Sequence, residues 1–239
     1  AAGLVVAALG GRALGGGAVG EGPAVAGVVR EAVSGGGGDL EIAAAGGHHL
    51  AMVGEPGIGK TLLAARMPGL LPPLDEHSSV EVTSIHSVAG RFIPPGELIT
   101  TPPFESPHHT ATYAAMVGGG SHIPRIGMVS LAHRGVLFLD EAPEFRPATL
   151  EVLRQPLESG AIVINRAGFH VRLPARFQLL LAMNPCPCGY FNHPDKACVC
   201  GPGVVQKYLN RISGPLLDRI DLHVEVTPIS YEELTNDKP

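Results

Sequence analysis

Residues 54–61 read Gly54-Glu55-Pro56-Gly57-Ile58-Gly59-Lys60-Thr61, directly after the apolar run Leu50-Ala51-Met52-Val53 and directly before Leu62-Leu63-Ala64-Ala65-Arg66-Met67. The pattern is G-x-x-x-x-G-K-[ST], set between a buried strand and a helix as its chemistry demands. Glycines let backbone N–H groups turn inward and form a nest for a β-phosphate. A helix starting near Lys60 adds its positive N-terminal dipole to that nest. Gly54, Pro56, Gly57, Ile58, Gly59, Lys60, Thr61 and Leu62 therefore form the expected phosphate cradle. Lys60 is placed to reach the β- and γ-phosphates, and the Thr61 hydroxyl to ligate Mg²⁺. The competing reading is a glycine-rich turn with an incidental lysine.

Working outward, the helix over Leu62–Met67 is expected to end with help from Pro68 and the Pro72-Pro73 pair. A second apolar strand, Val136–Leu139, ends in Asp140-Glu141. Beside a phosphate cradle, Asp140 is expected to hold Mg²⁺ through water, and Glu141 to polarise a water for in-line attack on the γ-phosphate. ATP and Mg²⁺ are thus the expected cofactors. The competing reading of the pair is an acidic strand end that caps the next helix. Phe177–Met183 reads as a third apolar strand, and Asn184 follows it. A short helix is expected over Asp39–Ala45, another over Ala148–Glu158, and a hairpin over 161–165 and 169–173 with its turn at Ala167-Gly168. A final helix and strand are expected over Val204–Leu217 and Leu222–Val226. Residues 76–130, rich in His, Pro and Gly, read as irregular, with strand-like pieces such as Val80-Glu81-Val82. Nearly continuous apolar strands alternating with helices give an α/β fold with a central parallel sheet flanked by helices.

The 239 residues (24.7 kDa) are 45% hydrophobic and 16% charged, enough to bury a core. A net charge of −5 excludes a uniformly basic nucleic-acid coat, so contact with phosphates needs a local basic strip. Residues 154–176 supply one: Arg154, Arg166, Arg172 and Arg176 stand against Glu158 alone, with Arg166 at the hairpin tip near Asn165 and His170. An ordinary solvated hairpin is the alternative. Fifteen of the 32 glycines fall in residues 1–50. Residues 1–38 therefore read as a loosely docked Gly/Ala-rich lead-in, and 39–239 as the folded core. No apolar run is long enough to span a bilayer and no basic leader precedes Ala1, so a soluble cytoplasmic chain is expected. The missing initiator Met suggests a fragment of a longer protein.

Four cysteines within residues 186–200 exclude a disulfide-stapled secreted scaffold. Cys186, Cys188, Cys198 and Cys200 form two C-x-C pairs across a loop holding Gly189 and His193. Four thiolates suit tetrahedral structural zinc in number and softness, although C-x-C spacing strains chelation. Four reduced cysteines, or disulfides formed on oxidation, are the alternatives. The His48-His49 and His108-His109 pairs lack helical metal spacing, and packing or hydrogen bonding is expected of them.

Several runs together resemble a known family. They are residues 54–61, Ile85-His86-Ser87-Val88-Ala89-Gly90, Pro107-His108-His109-Thr110, Leu131 to Glu141, Asn184-Pro185-Cys186-Pro187-Cys188-Gly189, and Ser213 to Asp221. Over residues 41–233 the chain resembles the AAA+ ATPases of the magnesium-chelatase subunit I-like group, and in particular the ComM/YifB branch. The resemblance implies a P-loop NTPase core with hairpin insertions, hydrolysing ATP within a homo-oligomeric ring, a hexamer. In that family ComM proteins act on DNA during uptake and recombination, and the hairpin faces the ring's pore. The resemblance also implies that Asn184 is the polar sensor, orienting water or touching the γ-phosphate, rather than a loop residue bonding its own turn. It puts Arg219 at the arginine finger, reaching a neighbouring subunit's site, with Arg211 in reserve. An internal pair of Arg219 with Asp218 or Asp221 is the alternative.

Three departures accompany the resemblance. Ser34 to Gly38 stand where the family has a V-x-G-Q-like adenine-pocket segment. Residues 1–33 are at most a remnant of the family's N-terminal protease-like domain. The sequence ends at Pro239, before the place where the resemblance implies a C-terminal helical lid with its second sensor arginine. Two other readings therefore stand beside a DNA-handling ATPase: the motor of a metal-insertion chelatase, and a nucleotide-dependent assembly module with little hydrolysis.

Overall fold

Leu50–Val53, Val136–Leu139 and Leu179–Met183 are wholly apolar, so each must be covered on both faces. The computed structural model describes residues 36–119, 125–166, 169–193 and 195–227. The expected lead-in lies outside them up to residue 35, as do the hairpin turn at 167–168 and the chain beyond 227. The first elements are α1 (Gly36–Gly46), β1 (Leu50–Val53), α2 (Lys60–Leu70), α3 (Glu76–Val88) and β2 (Phe104–Glu105). Next come α4 (Tyr113–Val117), β3 (Gly118–Gly119), β4 (Arg125–Ile126), α5 (Met128–Leu131) and β5 (Val136–Leu139). After a 3-10 turn over Ala142–Glu144 follow α6 (Pro147–Glu151), α7 (Arg154–Ser159), β6 (Ala161–Arg166) and β7 (Phe169–Pro174). The last are β8 (Gln178–Met183), α8 (Pro202–Leu209), α9 (Gly214–Leu217) and β9 (Leu222–Glu225).

Five strands form a parallel sheet in the order β2-β5-β8-β1-β9. Side chains alternate along each strand, and the alternation builds a core on each face. Leu50, Met52, Val136, Phe138, Leu180 and Ala182 pack against Leu40 and Ala43 of α1 and Leu63, Ala64 and Met67 of α2. Their neighbours Ala51, Leu137, Leu139, Leu179 and Leu181 pack on the other face against Met116, Val129, Phe145, Leu150 and Leu216. The result is the α/β core with a central parallel sheet flanked by helices that the sequence implies. β6 and β7 pair antiparallel, from Ala161 opposite Pro174 to Arg166 opposite Phe169. Among the described residues no helix is long and apolar enough to cross a membrane.

Four expectations of local structure are corrected. Residues 76–88 form α3, where an irregular segment with strand-like pieces was expected. Asp75 caps it, accepting a hydrogen bond from Ser78 N at 2.7 Å, and this bond holds the carboxyl below its ordinary range. Its buried face is Ser78, Ser79, Val82, Ile85 and His86, at helical spacing but mostly polar, so apolar residues alone conceal the period. α2 runs through Pro68 to Leu70. Pro68 lies in the last turn and removes one hydrogen bond there, and the helix stops where Leu71, ahead of Pro72, takes an extended backbone (ψ 146°).

The single helix expected over 148–158 is two, α6 and α7, with a turn at Val152-Leu153. Pro156 has no N–H for the Val152 carbonyl, and its ring would clash with that carbonyl in a continuous helix. The helix expected over 204–217 is likewise divided into α8 and α9, with Pro215 in the first turn of the second. Proline is tolerated at a helix start and not in its interior.

The sheet positions the site. Val53 is level with Met183, and Leu139 with Leu181, so β1, β8 and β5 all end along one edge. The three segments that follow them, the glycine-rich loop, Asn184 and Asp140-Glu141, emerge side by side at the carboxyl ends of the strands, where ligands bind in open parallel sheets.

Candidate nucleotide-binding site

An open cleft of about 390 Å³ lies at this edge, lined by Pro56 to Leu62, Asp140, Glu141, Met183 and Asn184. Gly57 and Gly59 have φ of 82° and 97°, in the left-handed region that side chains resist. Those two turns aim the loop at the start of α2, whose first residue is Lys60.

Lys60 is buried. Its ammonium donates to the carbonyl oxygens of Gly54 (2.8 Å) and Glu55 (2.9 Å) and to Asn184 Oδ1 (3.1 Å). Burial pushes its pKa down, while the negative charges of Asp140, Glu55 and Glu141 push it back up. The cation is thus held mainly by neutral dipoles, and a phosphate oxygen is a better partner than any of them.

Asp140 Oδ2 accepts from the Thr61 hydroxyl at 2.6 Å, and its Oδ1 from the Glu141 N–H at 2.9 Å. The two residues expected to hold Mg²⁺ stand in contact across 79 positions of sequence, and a hydroxyl with a carboxylate is a donor set suited to that hard cation. Glu141 has φ 50°, so its side chain diverges from that of Asp140. Its Oε2 lies 3.3 Å from Nδ1 of His109, whose ring packs 4.0 Å from that of His108.

Lys60 holds the Asn184 amide oxygen, and the Tyr208 hydroxyl of α8 lies near the Asn184 backbone. Burial, with Glu144 nearby, pushes the Tyr208 hydroxyl up to about 12, so it stays protonated. His109 and Tyr208 are absent from the site that the sequence points to. His109 does fall in the Pro107 to Thr110 run, but its spacing announces no chemistry. Tyr208 resembles any helix residue facing inward.

Arg219 lies away from the cleft. Its guanidinium pairs with Glu158 of α7 and donates to the Pro215 carbonyl, so its internal partner is neither Asp218 nor Asp221. Arg211 pairs with Glu144 at 2.9 Å and donates to Pro143 O at 3.1 Å, beside the loop that carries Glu141. Arg172 and Arg176 line a second cleft, of about 460 Å³, together with Arg134, His77 and His133.

The four cysteines converge. None is in a disulfide, and their sulfurs all lie within 4.8 Å of one another.

A family model described as magnesium chelatase, subunit ChlI matches residues 34–234. An uncharacterized protein of Mycobacterium tuberculosis (strain H37Rv) is 54% identical over 187 residues, 78% of this chain and 37% of its own length. Uncharacterized protein YifB of Escherichia coli (strain K12) is 50% identical over 187 residues, 78% of this chain and 36% of its own. Competence protein ComM of Haemophilus influenzae (strain Rd) is 47% identical over 197 residues, 82% of this chain and 38% of its own. The chain thus spans less than two fifths of the length of each of these relatives.

Proposed function

The chain belongs to the magnesium chelatase subunit ChlI family of AAA+ proteins, and from that premise we propose that it binds ATP with Mg²⁺ and hydrolyses it to ADP and phosphate within a ring that acts on DNA. The observation that carries the proposal is the meeting of Lys60, Thr61, Asp140, Glu141 and Asn184 at the ends of three adjacent strands. The cradle from Gly54 to Leu62 takes the phosphates and Lys60 neutralises them. Thr61 and Asp140 would hold Mg²⁺, which supplies further charge neutralisation when bound. Glu141 accepts the proton of the attacking water, and Asn184 orients that water or the γ-phosphate.

The finger role falls to Arg219, acting on the site of the next subunit. Its pairing with Glu158 at the surface supports a guanidinium that exchanges partners when a neighbour arrives. DNA is the proposed substrate because the hairpin strand β7 and the segment after it bring Arg172 and Arg176 into one cleft with Arg134. A few arginines per subunit, repeated around a ring, contact backbone phosphates without reading sequence. The name of the competence relative agrees with a role in DNA handling.

ATP turnover, measured against protein concentration and added single-stranded DNA, tests this reading. Specific activity is expected to rise with both, and the DNA effect to fade with salt. Nucleotide binding with no turnover at any protein or DNA concentration would leave a nucleotide-binding assembly module with little hydrolysis. Mixing Arg219→Ala subunits with Lys60→Ala subunits is expected to restore part of the activity that each lacks alone, because one supplies an intact cradle and the other an intact finger. No recovery in the mixture would place Arg219 outside the shared site.

A further inference from the structure

The cysteine loop lies against the phosphate cradle. Glu55, the second residue of the cradle, faces His193 Nε2 at 2.9 Å and Lys196 Nζ at 3.4 Å, both from the stretch between Cys188 and Cys198. The Glu55 and His193 side chains are 17% and 12% exposed, so solvent screens this contact little. His193 Nδ1 accepts from the N–H groups of Asp195 and Lys196, both at 3.0 Å, which leaves Nε2 as the donor to Glu55. Gly189 stands so close to Pro56 that a Cβ on it would come within 2.4 Å of the proline Cδ.

Little apolar packing fixes the loop itself, since Phe191 and Val199 are both exposed. Its two ends meet at the cluster of thiols. The Cys186, Cys188 and Cys198 sulfurs are separated by 3.3, 3.7 and 3.6 Å. The edge of a tetrahedron of sulfurs around zinc, with bonds of about 2.3 Å, is about 3.8 Å. The sulfurs therefore already stand close to the spacing such an ion requires, and Cys200 supplies the fourth ligand.

We propose that the four thiolates bind one zinc ion and that the occupied knuckle, through Glu55 and Pro56, holds the phosphate cradle in its binding shape. Nucleotide affinity then depends on zinc, although no cysteine lines the cleft. This inference rests on the reading of residues 54–61 as the nucleotide site.

The test measures zinc per chain in reduced protein, together with affinity for a fluorescent N-methylanthraniloyl ATP at fixed Mg²⁺. Both are measured before and after treatment with a zinc-selective chelator, and again after zinc is restored. One zinc per chain is expected, with affinity falling about tenfold on its removal and returning with it. His193→Ala keeps all four thiols and removes the donor to Glu55, so it is expected to retain zinc while weakening the analogue several-fold. Substoichiometric zinc with tight analogue binding overturns the metal site and leaves the nucleotide reading standing. Stoichiometric zinc whose removal leaves affinity unchanged overturns the coupling. Zinc-loaded protein that binds no analogue overturns the nucleotide reading, and the coupling with it. Should zinc removal unfold the chain, His193→Ala decides, and wild-type affinity in that variant overturns the coupling.

Discussion

Lys60→Ala is expected to lower affinity for MgATP by about 100-fold while the chain remains folded. The buried ammonium is the cradle's own cation, and loss of a charged hydrogen-bond donor to a phosphate costs about 1.5–3 kcal/mol. Fold retention follows from the same geometry. Without nucleotide, Lys60 is a desolvated charge on neutral acceptors, and burial already pulls its pKa down. Removing it therefore withdraws an electrostatic cost along with the bonds. Titration calorimetry reads the affinity, and a thermal melt of the same sample reads the fold. Unchanged affinity would show that the loop from Gly54 to Thr61 is a turn and no more.

Glu141→Gln is expected to act on the other half of the chemistry. Turnover should fall by about 10²–10⁴, the usual contribution of a positioned general base, while MgATP affinity stays within a few-fold of wild type. The isosteric amide keeps the left-handed turn at residue 141 and cannot take a proton. Asp140, in contact with Thr61 and capping the Glu141 N–H, remains in place. His109 provides the control, since its exposed pairing with Glu141 is worth little in water. His109→Ala is expected to change turnover by no more than a few-fold. Full activity in Glu141→Gln would move the general base elsewhere.

The strands and the loop between β1 and α2 were legible because their residues have one job each. Leu50–Val53, Val136–Leu139 and Leu179–Met183 are too short and too apolar for anything but covered elements, and Gly57 and Gly59 permit the left-handed turns that lead into α2. α3 was illegible because Ser78, Ser79 and His86 occupy its buried face, where an apolar count registers nothing. The breaks between α6 and α7 and between α8 and α9 hang on Pro156 and Pro215, whose effect depends on where the helix begins. The contacts of Glu141 with His109, of Asn184 with Lys60 and of Glu55 with His193 join residues far apart in the chain. Only the folded sheet brings them together, and no spacing rule foretells them.

The central claim is that the carboxyl edge of the sheet grips a triphosphate together with its metal. Titration calorimetry of the wild-type chain with ATP, once with Mg²⁺ and once with the metal chelated, measures that directly. Saturable binding at one site per chain, strongly weakened without Mg²⁺, is the expected outcome. Absence of any magnesium-dependent binding, with ATP and with the other nucleoside triphosphates, would contradict it.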